Sequence, residues 1–434
     1  MKFKQTNLPN GGKLYYVRNN INESTAVDIN FDCGSRFDTI PGLAHFTEHM
    51  FFTGTKTLTK EDIAKKYFDF IDVNAGTSTR YINFNGQVFT KEFADYLSTV
   101  AMMITESTFS QENVDKEIPV VQQEIARQKD KFKTISAWIA DYLTFGNPEF
   151  KNTTLGSQKS VASIKSEDVK EYVSNYFVAN NLEVFVSSPY SLGKVKKLVV
   201  KNLVNKLPVN DNFEKAPYFY YNVKNKNFHK IENEKIEKSY VYINFAMNRN
   251  RWDFDFKRKF GLVLDMLNDY SEGILNALRL KKSLVYGAGI RDAYYEENSL
   301  AGFSTECDKE NVNEVIITLA NYLKDIAKNG FTQEQLDKAK RLYEYGEATK
   351  EVRLRKLTGK LYQFKYYGKI LNVKDAKKAI KSATLDEVNS LFREVFENPT
   401  VSLFVYGNAS KEEVMDKKEF KNCFNSSNSL NAKG

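Results

Sequence analysis

The hydrophobic and polar positions at the start of the chain have the pattern of strands in a hairpin, and a helical period follows them. Residues 13–17 (Lys-Leu-Tyr-Tyr-Val) and 26–31 (Ala-Val-Asp-Ile-Asn-Phe) carry this strand pattern. Apolar positions spaced by three and four residues then predict a helix over about 43–53, with Pro41 near its first turn and Gly54 as its C-cap. Strands followed by helices in this order indicate an α+β fold.

The same two patterns continue to about residue 131. They predict helices at about 60–70, 91–107 and 111–131, and strands at about 72–79 and 82–89. The fold class therefore stays α+β over the whole first part of the chain.

One internal repeat is visible across half the chain. Residues 163–177 align without a gap with residues 382–396. At the same offset, residues 184–186 align with residues 403–405. Each copy is typical of a helix with an acidic first turn that leads into a buried strand. An offset of about half the chain is too long for a solenoid repeat, so we expect two copies of one domain.

The domain boundaries follow from where the periodicity lapses. We predict a first domain at 1–209 and a homologous second domain at 239–416. The Lys/Asn-rich stretch 210–238, which contains His229, is predicted to be a linker. The polar tail 417–434 is predicted to be disordered.

Composition and charge narrow the function classes. The chain has 434 residues, with 42% hydrophobic and 27% charged residues, which is an ordinary globular composition. The formal charge of +8 is spread along the chain, and no basic cluster with stacking aromatics indicates nucleic-acid binding. No segment approaches the roughly 18 apolar residues of a membrane span, and the N-terminus is unlike a signal or transit peptide. We therefore expect a soluble, cytoplasmic protein that binds neither nucleic acid nor membrane.

The sharpest chemical signal is a pair of histidines. The chain has only three histidines, and two of them lie four residues apart in His45-Phe46-Thr47-Glu48-His49. On a helix such residues share a face, with Cβ atoms about 5–6 Å apart, so both imidazoles can bind one zinc. Glu48 projects from the same arc and is placed to take a proton from a zinc-bound water. The order H-x-x-E-H is the signature of inverzincin peptidases.

Histidine pairs on helices also occur at ordinary surfaces and in structural zinc sites. A surface pair is disfavoured, because a chain so poor in histidine places two in this one arrangement. A structural zinc site needs four ligands, usually including thiolates. Cys33, Cys307 and Cys423 lie far apart and form no CxxC pair, so we expect three reduced thiols instead.

A third ligand is expected on the helix at 111–131. Glu117 and Glu124 are seven residues apart, which places them within about 20° on one stripe. Pro119 lies between them, and a kink there could move Glu117 off that stripe. Spacing alone allows either glutamate to be the ligand, and it also allows an ordinary exposed pair.

The segments around the histidines resemble a known family. Residues 34–38 (Gly-Ser-Arg-Phe-Asp) and 42–55, which include the H-x-x-E-H motif, resemble the characteristic block of the pitrilysin–insulinase family of zinc peptidases. The resemblance covers essentially the whole chain, in particular to the short bacterial branch that is similar to mitochondrial processing peptidases. Asp38 departs from the pattern, since relatives more often carry Glu. The resemblance implies two homologous domains, each a mostly antiparallel sheet flanked by helices, that form a clam-shell chamber. The first domain (1–209) would be the catalytic, zinc-binding one, and the second (239–416) would serve as substrate wall and lid.

The resemblance also implies roles that spacing leaves open. It implies that Glu124 is the third zinc ligand and that Glu117 is an acidic residue that supports the ligands. The run Asn74-Ala75-Gly76-Thr77 is similar to the family's edge strand, which pairs with the substrate backbone.

Two residues of the second half resemble the family's Arg–Tyr pair. Arg279 and Tyr286 would hydrogen-bond the substrate carbonyl, with Tyr286 stabilising the oxyanion. Without the resemblance, Arg279 would be interpreted as a surface helix residue and Tyr286 as a strand residue.

These observations together predict a zinc metalloendopeptidase. It would hydrolyse short, unfolded peptides with one Zn²⁺ per chain and a zinc-activated water, and it would pair with itself or with a related chain. The alternative is a non-catalytic, peptide-binding partner of a related active peptidase. A structural repeat protein with incidental histidines is a third interpretation, which stoichiometric zinc would exclude.

Overall fold

The computed structural model of the chain describes most of its residues. The described ranges are 2–20, 23–70, 72–129, 139–140, 143–144, 153–214, 228–247, 249, 253–294, 299–348, 354–367 and 373–425. The chain divides into two compact units. The first unit consists of Met1–Asp130, Lys151–Pro217 and Glu351–Ile370, and the second consists of Lys131–Phe150, Tyr218–Lys350 and Leu371–Gly434. Each unit combines a sheet with helices, so the predicted α+β class is confirmed.

Strands and helices follow each other through both units. In chain order, the strands β1 to β11 are Phe3–Asn7, Lys13–Arg18, Ser24–Phe31, Asp72–Thr77, Ile82–Phe89, Leu182–Ser188, Phe228–Glu232, Ser239–Met247, Ala288–Tyr294, Ser299–Cys307 and Val401–Gly407. The described helices α1 to α14 are Leu43–Met50, Lys60–Phe68, Phe93–Glu106, Gln111–Lys129, Gln158–Val161, Ser166–Tyr176, Leu192–Asn202, Phe254–Leu267, Val312–Asn329, Gln333–Ala348, Leu354–Tyr367, Val373–Ser382, Leu385–Phe396 and Lys417–Phe424. None of these helices combines the length and the hydropathy that crossing a bilayer requires.

The sheet of the first unit has the strand order β1-β2-β6-β3-β5-β4. Strands β2 and β6 run parallel, and the other neighbouring pairs are antiparallel. Along β5 buried and more exposed positions alternate, as the pattern at 82–89 predicts. Strand β4 pairs with β5 and forms one edge of this sheet, so the predicted edge strand lies at an edge.

The second sheet repeats this topology as β7-β11-β8-β10-β9. Strand β11 lies between the parallel β7 and the antiparallel β8, as β6 lies between the parallel β2 and the antiparallel β3. Helices α6 and α13 precede β6 and β11, so both copies of the predicted repeat are a helix followed by a buried strand. The predicted duplication and the mostly antiparallel sheets are confirmed, and the clam-shell chamber stays a prediction.

Two elements lie where the sequence predicts none. Strand β7 lies inside the predicted linker 210–238, and helix α14 lies inside the predicted tail 417–434. His229, interpreted as a linker residue, is part of β7. The strand is short and carries the polar pair His229 and Lys230, so its hydrophobic pattern is weak. The second repeat therefore begins before residue 239, and the tail beyond Asn425 lies outside the described residues.

Helix α11 packs on the first sheet, although its sequence belongs to the second repeat. Leu361 joins a small core with Tyr15 and Phe185. The ring of Tyr362 stacks on Phe185 with centroids 4.0 Å apart, and the Asn30 amide donates a hydrogen bond to the Tyr362 hydroxyl at 2.6 Å. These contacts cover the sheet face opposite the main core.

A segment of the first repeat packs on the second sheet, as α11 packs on the first sheet. Ala140 packs with Tyr242 and Phe404, and the Asn244 amide donates to the hydroxyl of Thr144 at 2.9 Å. Residues 27–31 (Val-Asp-Ile-Asn-Phe) and 241–245 (Val-Tyr-Ile-Asn-Phe) place the two asparagines at matching positions. Each repeat therefore contributes one segment to the other sheet, and the contiguous boundaries at 209 and 239 misassign both segments.

Two glycines that lie against each other fix the turn before α1. Gly42 has a φ of +95° and Gly156 a φ of +71°, values that residues with a Cβ rarely adopt. A Cβ added to Gly42 would lie 2.5 Å from the Leu155 carbonyl oxygen, and one added to Gly156 would lie 2.1 Å from that of Pro41. Neither position has room for a side chain.

We expect Gly156→Ala to lower the free energy of unfolding by about 2 kcal/mol or more, because alanine disfavours this φ and its Cβ meets backbone. Gly193→Ala is the matched control. No described residue comes within 4 Å of a Cβ at Gly193, in the first turn of α7, so this variant should be more stable by about 0.4–1 kcal/mol. Urea unfolding followed by circular dichroism measures both, and equal stabilities would contradict the strain at Gly156.

Candidate metal centre

Helix α1 holds three of the predicted site residues. Its apolar side chains, such as Phe46, are buried in the core of the first unit. His45 is 8% exposed, while Glu48 and His49 are more accessible and lie on the neighbouring arc of the helix. The helix therefore anchors one face in the core and presents imidazoles and a carboxylate from the other, as the 3.6-residue period requires.

The first turn of α1 is capped by Asp38. Its carboxylate oxygens accept hydrogen bonds from the backbone N–H groups of Gly42 and Ala44, both at 2.8 Å. These N–H groups have no carbonyl partner within the helix, and a carboxylate near a helix N-terminus is favourable. Burial raises the pKa of Asp38 to about 7, although these hydrogen bonds act to lower it. The departure from the family pattern at Asp38 thus still supplies a carboxyl group that accepts hydrogen bonds at the start of the helix.

Three potential ligands converge across α1 and α4. The Nε2 atoms of His45 and His49 each lie 3.6 Å from the same carboxylate oxygen, Oε2 of Glu124. The three ligand atoms lie within 4.8 Å of one another, and no other such group occurs in the described part of the chain. Ligands at about 2.0–2.1 Å from a tetrahedral zinc lie about 3.4 Å apart, so both the spacing and the donor set fit Zn²⁺.

Glu117 contacts the other nitrogen of one imidazole. Its Oε1 lies 2.9 Å from His49 Nδ1, and its Oε2 accepts a hydrogen bond from Lys60 Nζ at 2.9 Å. Helix α4 continues through Pro119, and both Glu117 and Glu124 lie close to the histidines. The geometry separates the two candidates that spacing left equal: Glu124 faces both Nε2 atoms, and Glu117 lies behind the His49 ring.

The electrostatics of the imidazoles differ. Burial, followed by the neighbouring His49, lowers the pKa of His45 to about 3, so His45 is neutral at physiological pH. Burial also acts to lower the pKa of His49, but the hydrogen bond and the charge of Glu117 outweigh it and raise that pKa. A neutral imidazole is the form that binds metal.

Glu48 lies beside the ligand cluster and is held by an edge-strand residue. The hydroxyl of Thr77 donates a hydrogen bond to Glu48 Oε2 at 2.6 Å. Burial raises the pKa of Glu48, although the Thr77 hydrogen bond and His49 act in the opposite direction. A raised carboxyl pKa suits a group that must take up a proton and return it.

The two predicted substrate contacts of the second half lie near each other. Arg279 lies in a π-helical turn at Asn276–Leu280, and its Cζ lies 4.6 Å from the ring centroid of Tyr286. Tyr286 is 79% exposed and lies before β9, not within a strand. The structure brings this pair together within the second unit, and its contact with substrate stays a prediction.

Sequence reasoning missed the residues that support the site. Lys60 holds Glu117, Thr77 holds Glu48 and Asp38 caps α1. Thr77 was expected only to pair with substrate through its backbone. A lysine that begins a helix carries no recognisable pattern, whereas an aspartate shortly before α1 is a capping signal.

The fold and the site together define a peptidase-type architecture: two α+β repeats, of which the first carries the candidate metal cluster. Residues 14–143 match the family described as Insulinase (Peptidase family M16), and residues 163–343 match the Peptidase M16 inactive domain. The chain therefore belongs to the insulinase family, peptidase family M16, as the resemblance predicted.

Similar proteins differ in what is said of their activity. The chain is 25% identical over 350 residues to the uncharacterized zinc protease YmxG of Bacillus subtilis, which covers 78% of this chain and 81% of that protein. It is 21% identical over 374 residues to the non-peptidase homolog YmxG of Helicobacter pylori, covering 86% and 85%. A solved peptidase M16 inactive domain from Pseudomonas fluorescens superposes with a TM-score of 0.80 at 16% identity, covering 94% of this chain and 99% of that one. Membership thus establishes a peptidase-type fold and leaves catalysis open.

We expect Glu117→Ala to weaken zinc binding by about 10-fold to 100-fold, because His49 loses the carboxylate that orients its ring. Glu112→Ala is the matched control, since Glu112 lies on the same helix with an exposed side chain that contacts Lys116. Competition with a chromophoric chelator at fixed pH measures both affinities. Equal affinities in the two variants would contradict the orienting role of Glu117.

Proposed function

We propose that this chain is a zinc metalloendopeptidase that hydrolyses short, unfolded peptides. The observation that carries the proposal is the convergence of His45, His49 and Glu124 at ligand spacing, with the Glu48 carboxylate beside them. Two imidazoles and one carboxylate form the open ligand set of catalytic zinc sites, which leaves a position for water or substrate. Structural sites, by contrast, are closed by a fourth protein ligand.

Each residue then has a distinct task. When bound, zinc supplies Lewis-acid chemistry, which acidifies water and polarises the scissile carbonyl. Glu48 takes the proton from the attacking water and returns it to the leaving amine. Glu117 keeps the His49 ring oriented through Nδ1, and Lys60 keeps Glu117 in place.

Substrate binding is assigned to the edge strand and to the Arg–Tyr pair. Among the described strands, β4 pairs only with β5, and Asn74, Ala75, Gly76 and Thr77 form most of it. Pairing with an edge strand reads the peptide backbone and requires it to be extended, which explains a preference for unfolded peptides. Arg279 and Tyr286 are proposed to hydrogen-bond the substrate carbonyl during attack.

A second candidate function is a non-catalytic, peptide-binding partner of a related active chain. The similarity to a protein named as a non-peptidase homolog supports this second candidate. The ligand cluster with a hydrogen-bonded glutamate beside it favours the enzyme, since a peptide-binding scaffold requires neither. Dimerisation with itself or a relative and a cytoplasmic location stay predictions.

Metal analysis and a peptide-cleavage assay on the isolated chain separate these functions. We expect one zinc per chain and hydrolysis within a quenched-fluorescent peptide library, with cut sites mapped by mass spectrometry. Zinc without hydrolysis would favour the partner function. Absence of stoichiometric zinc would contradict both the enzyme and its site.

We expect Glu48→Gln to keep its zinc and to lose hydrolysis, with kcat lowered by roughly 10²-fold to 10⁴-fold, because an amide cannot accept the proton. Glu61→Gln, on the exposed first turn of α2, is the control and should retain full activity. Zinc content and peptide turnover are measured on the same preparations. Undiminished turnover in the Glu48 variant would overturn the mechanism.

A further inference from the structure

The hydroxyl of Thr77 connects the candidate base to the edge strand. Thr77 Oγ1 donates to Glu48 Oε2 at 2.6 Å, which is the short distance of a hydrogen bond to a carboxylate. Among the described residues, no other hydrogen bond reaches the Glu48 side chain. The orientation of this carboxylate therefore depends on one residue of another element.

The alternation of side chains along β4 explains why Thr77 meets α1. Val73 and Ala75 belong to the core of the first unit, and Thr77 lies on the same face, two residues further along. It is the last residue of β4, where it pairs with Ile82 of β5. The backbone of Thr77 thus belongs to the edge strand β4, while its hydroxyl contacts Glu48 of helix α1.

We propose that Thr77 is a positioning residue that couples the peptide-binding strand to the general base. This inference rests on the proposed function, and it gives Thr77 a role beyond backbone pairing. A peptide that adds to β4 orders the backbone of this strand and so restrains the donor end of the hydrogen bond. The Glu48 carboxylate is then held toward the attacking water when the substrate is in place, which is the orientation that proton transfer requires.

The test compares Thr77→Val, Thr77→Ser and Thr79→Val. Valine keeps the shape and β-branching of threonine but cannot donate, so strand pairing is retained while the hydrogen bond is lost. Thr77→Ser keeps the hydroxyl. Thr79→Val is the control, since Thr79 follows the strand and its side chain makes no hydrogen bond within the described residues.

We expect Thr77→Val to lower kcat by about 10-fold to 100-fold with KM and zinc content unchanged, because a hydrogen bond to a charged group is lost. Thr77→Ser should recover most of kcat, and Thr79→Val should match the wild type. Unchanged kcat in Thr77→Val, or a raised KM with unchanged kcat, would overturn the proposal. Loss of zinc from Thr77→Val would assign the residue to the metal centre and would also overturn it.

Crystal structures of the zinc-loaded wild type and Thr77→Val give a readout that does not require turnover. We expect the Glu48 carboxylate to leave its wild-type rotamer in Thr77→Val and to keep it in Thr77→Ser. An unchanged Glu48 rotamer in Thr77→Val would contradict the inference even if the wild type hydrolyses no peptide. A wild type that binds no zinc and cleaves nothing would instead refute the proposed function, so the two failures are distinguishable.

Discussion

The structure of the site depends on one constraint: several ionisable groups share a small, partly buried volume, and interactions with partners must compensate the cost of their desolvation. His45, His49, Glu48, Glu117 and Glu124 come together where α1 crosses α4, and desolvation of such groups is costly unless they are paired or bind a cation. Hydrogen bonds from Lys60 and Thr77 compensate Glu117 and Glu48. Glu124 faces the two Nε2 atoms at distances too long for good hydrogen bonds. The proposed divalent cation would bind all three groups and so compensate their desolvation.

Local patterns in the sequence predicted a large part of this arrangement. The H-x-x-E-H spacing predicted that His45, Glu48 and His49 project from one arc of α1, because the period of a helix is determined by its backbone. The strand at 82–89 follows from alternation. Strands β2 and β3 bury both faces, one against the main core and the other against the small core around Tyr15 and Phe185. The gap-free match of 163–177 to 382–396 predicted the duplicated topology, since each segment forms a helix that leads into an inner strand of its sheet.

Contacts between distant segments could not be predicted in this way. Helix α11 covers the first sheet through Tyr362 and Asn30, which are separated by more than 300 residues. No local period records which sheet a helix will cover, and contiguous domains were the simplest assumption. Strand β7 was missed because parallel pairing with β11 supports it more than its own hydrophobic pattern does. The roles of Lys60 and Thr77 likewise exist only once α2 and β4 pack beside α1 and α4.

In the second repeat, the helix that corresponds to α1 lacks the polar cluster. Its helix α8 follows the central strand β8 as α1 follows β3, yet it contains neither histidine nor glutamate and buries Phe260 and Val263 in the core. Apolar residues in place of a buried charged cluster are often neutral or stabilising, so the fold itself does not require the cluster. The first repeat nevertheless keeps all five ionisable groups together with their supporting hydrogen bonds. Since the fold does not require these groups, the proposed chemistry at the candidate metal centre accounts for them better than a purely peptide-binding role does.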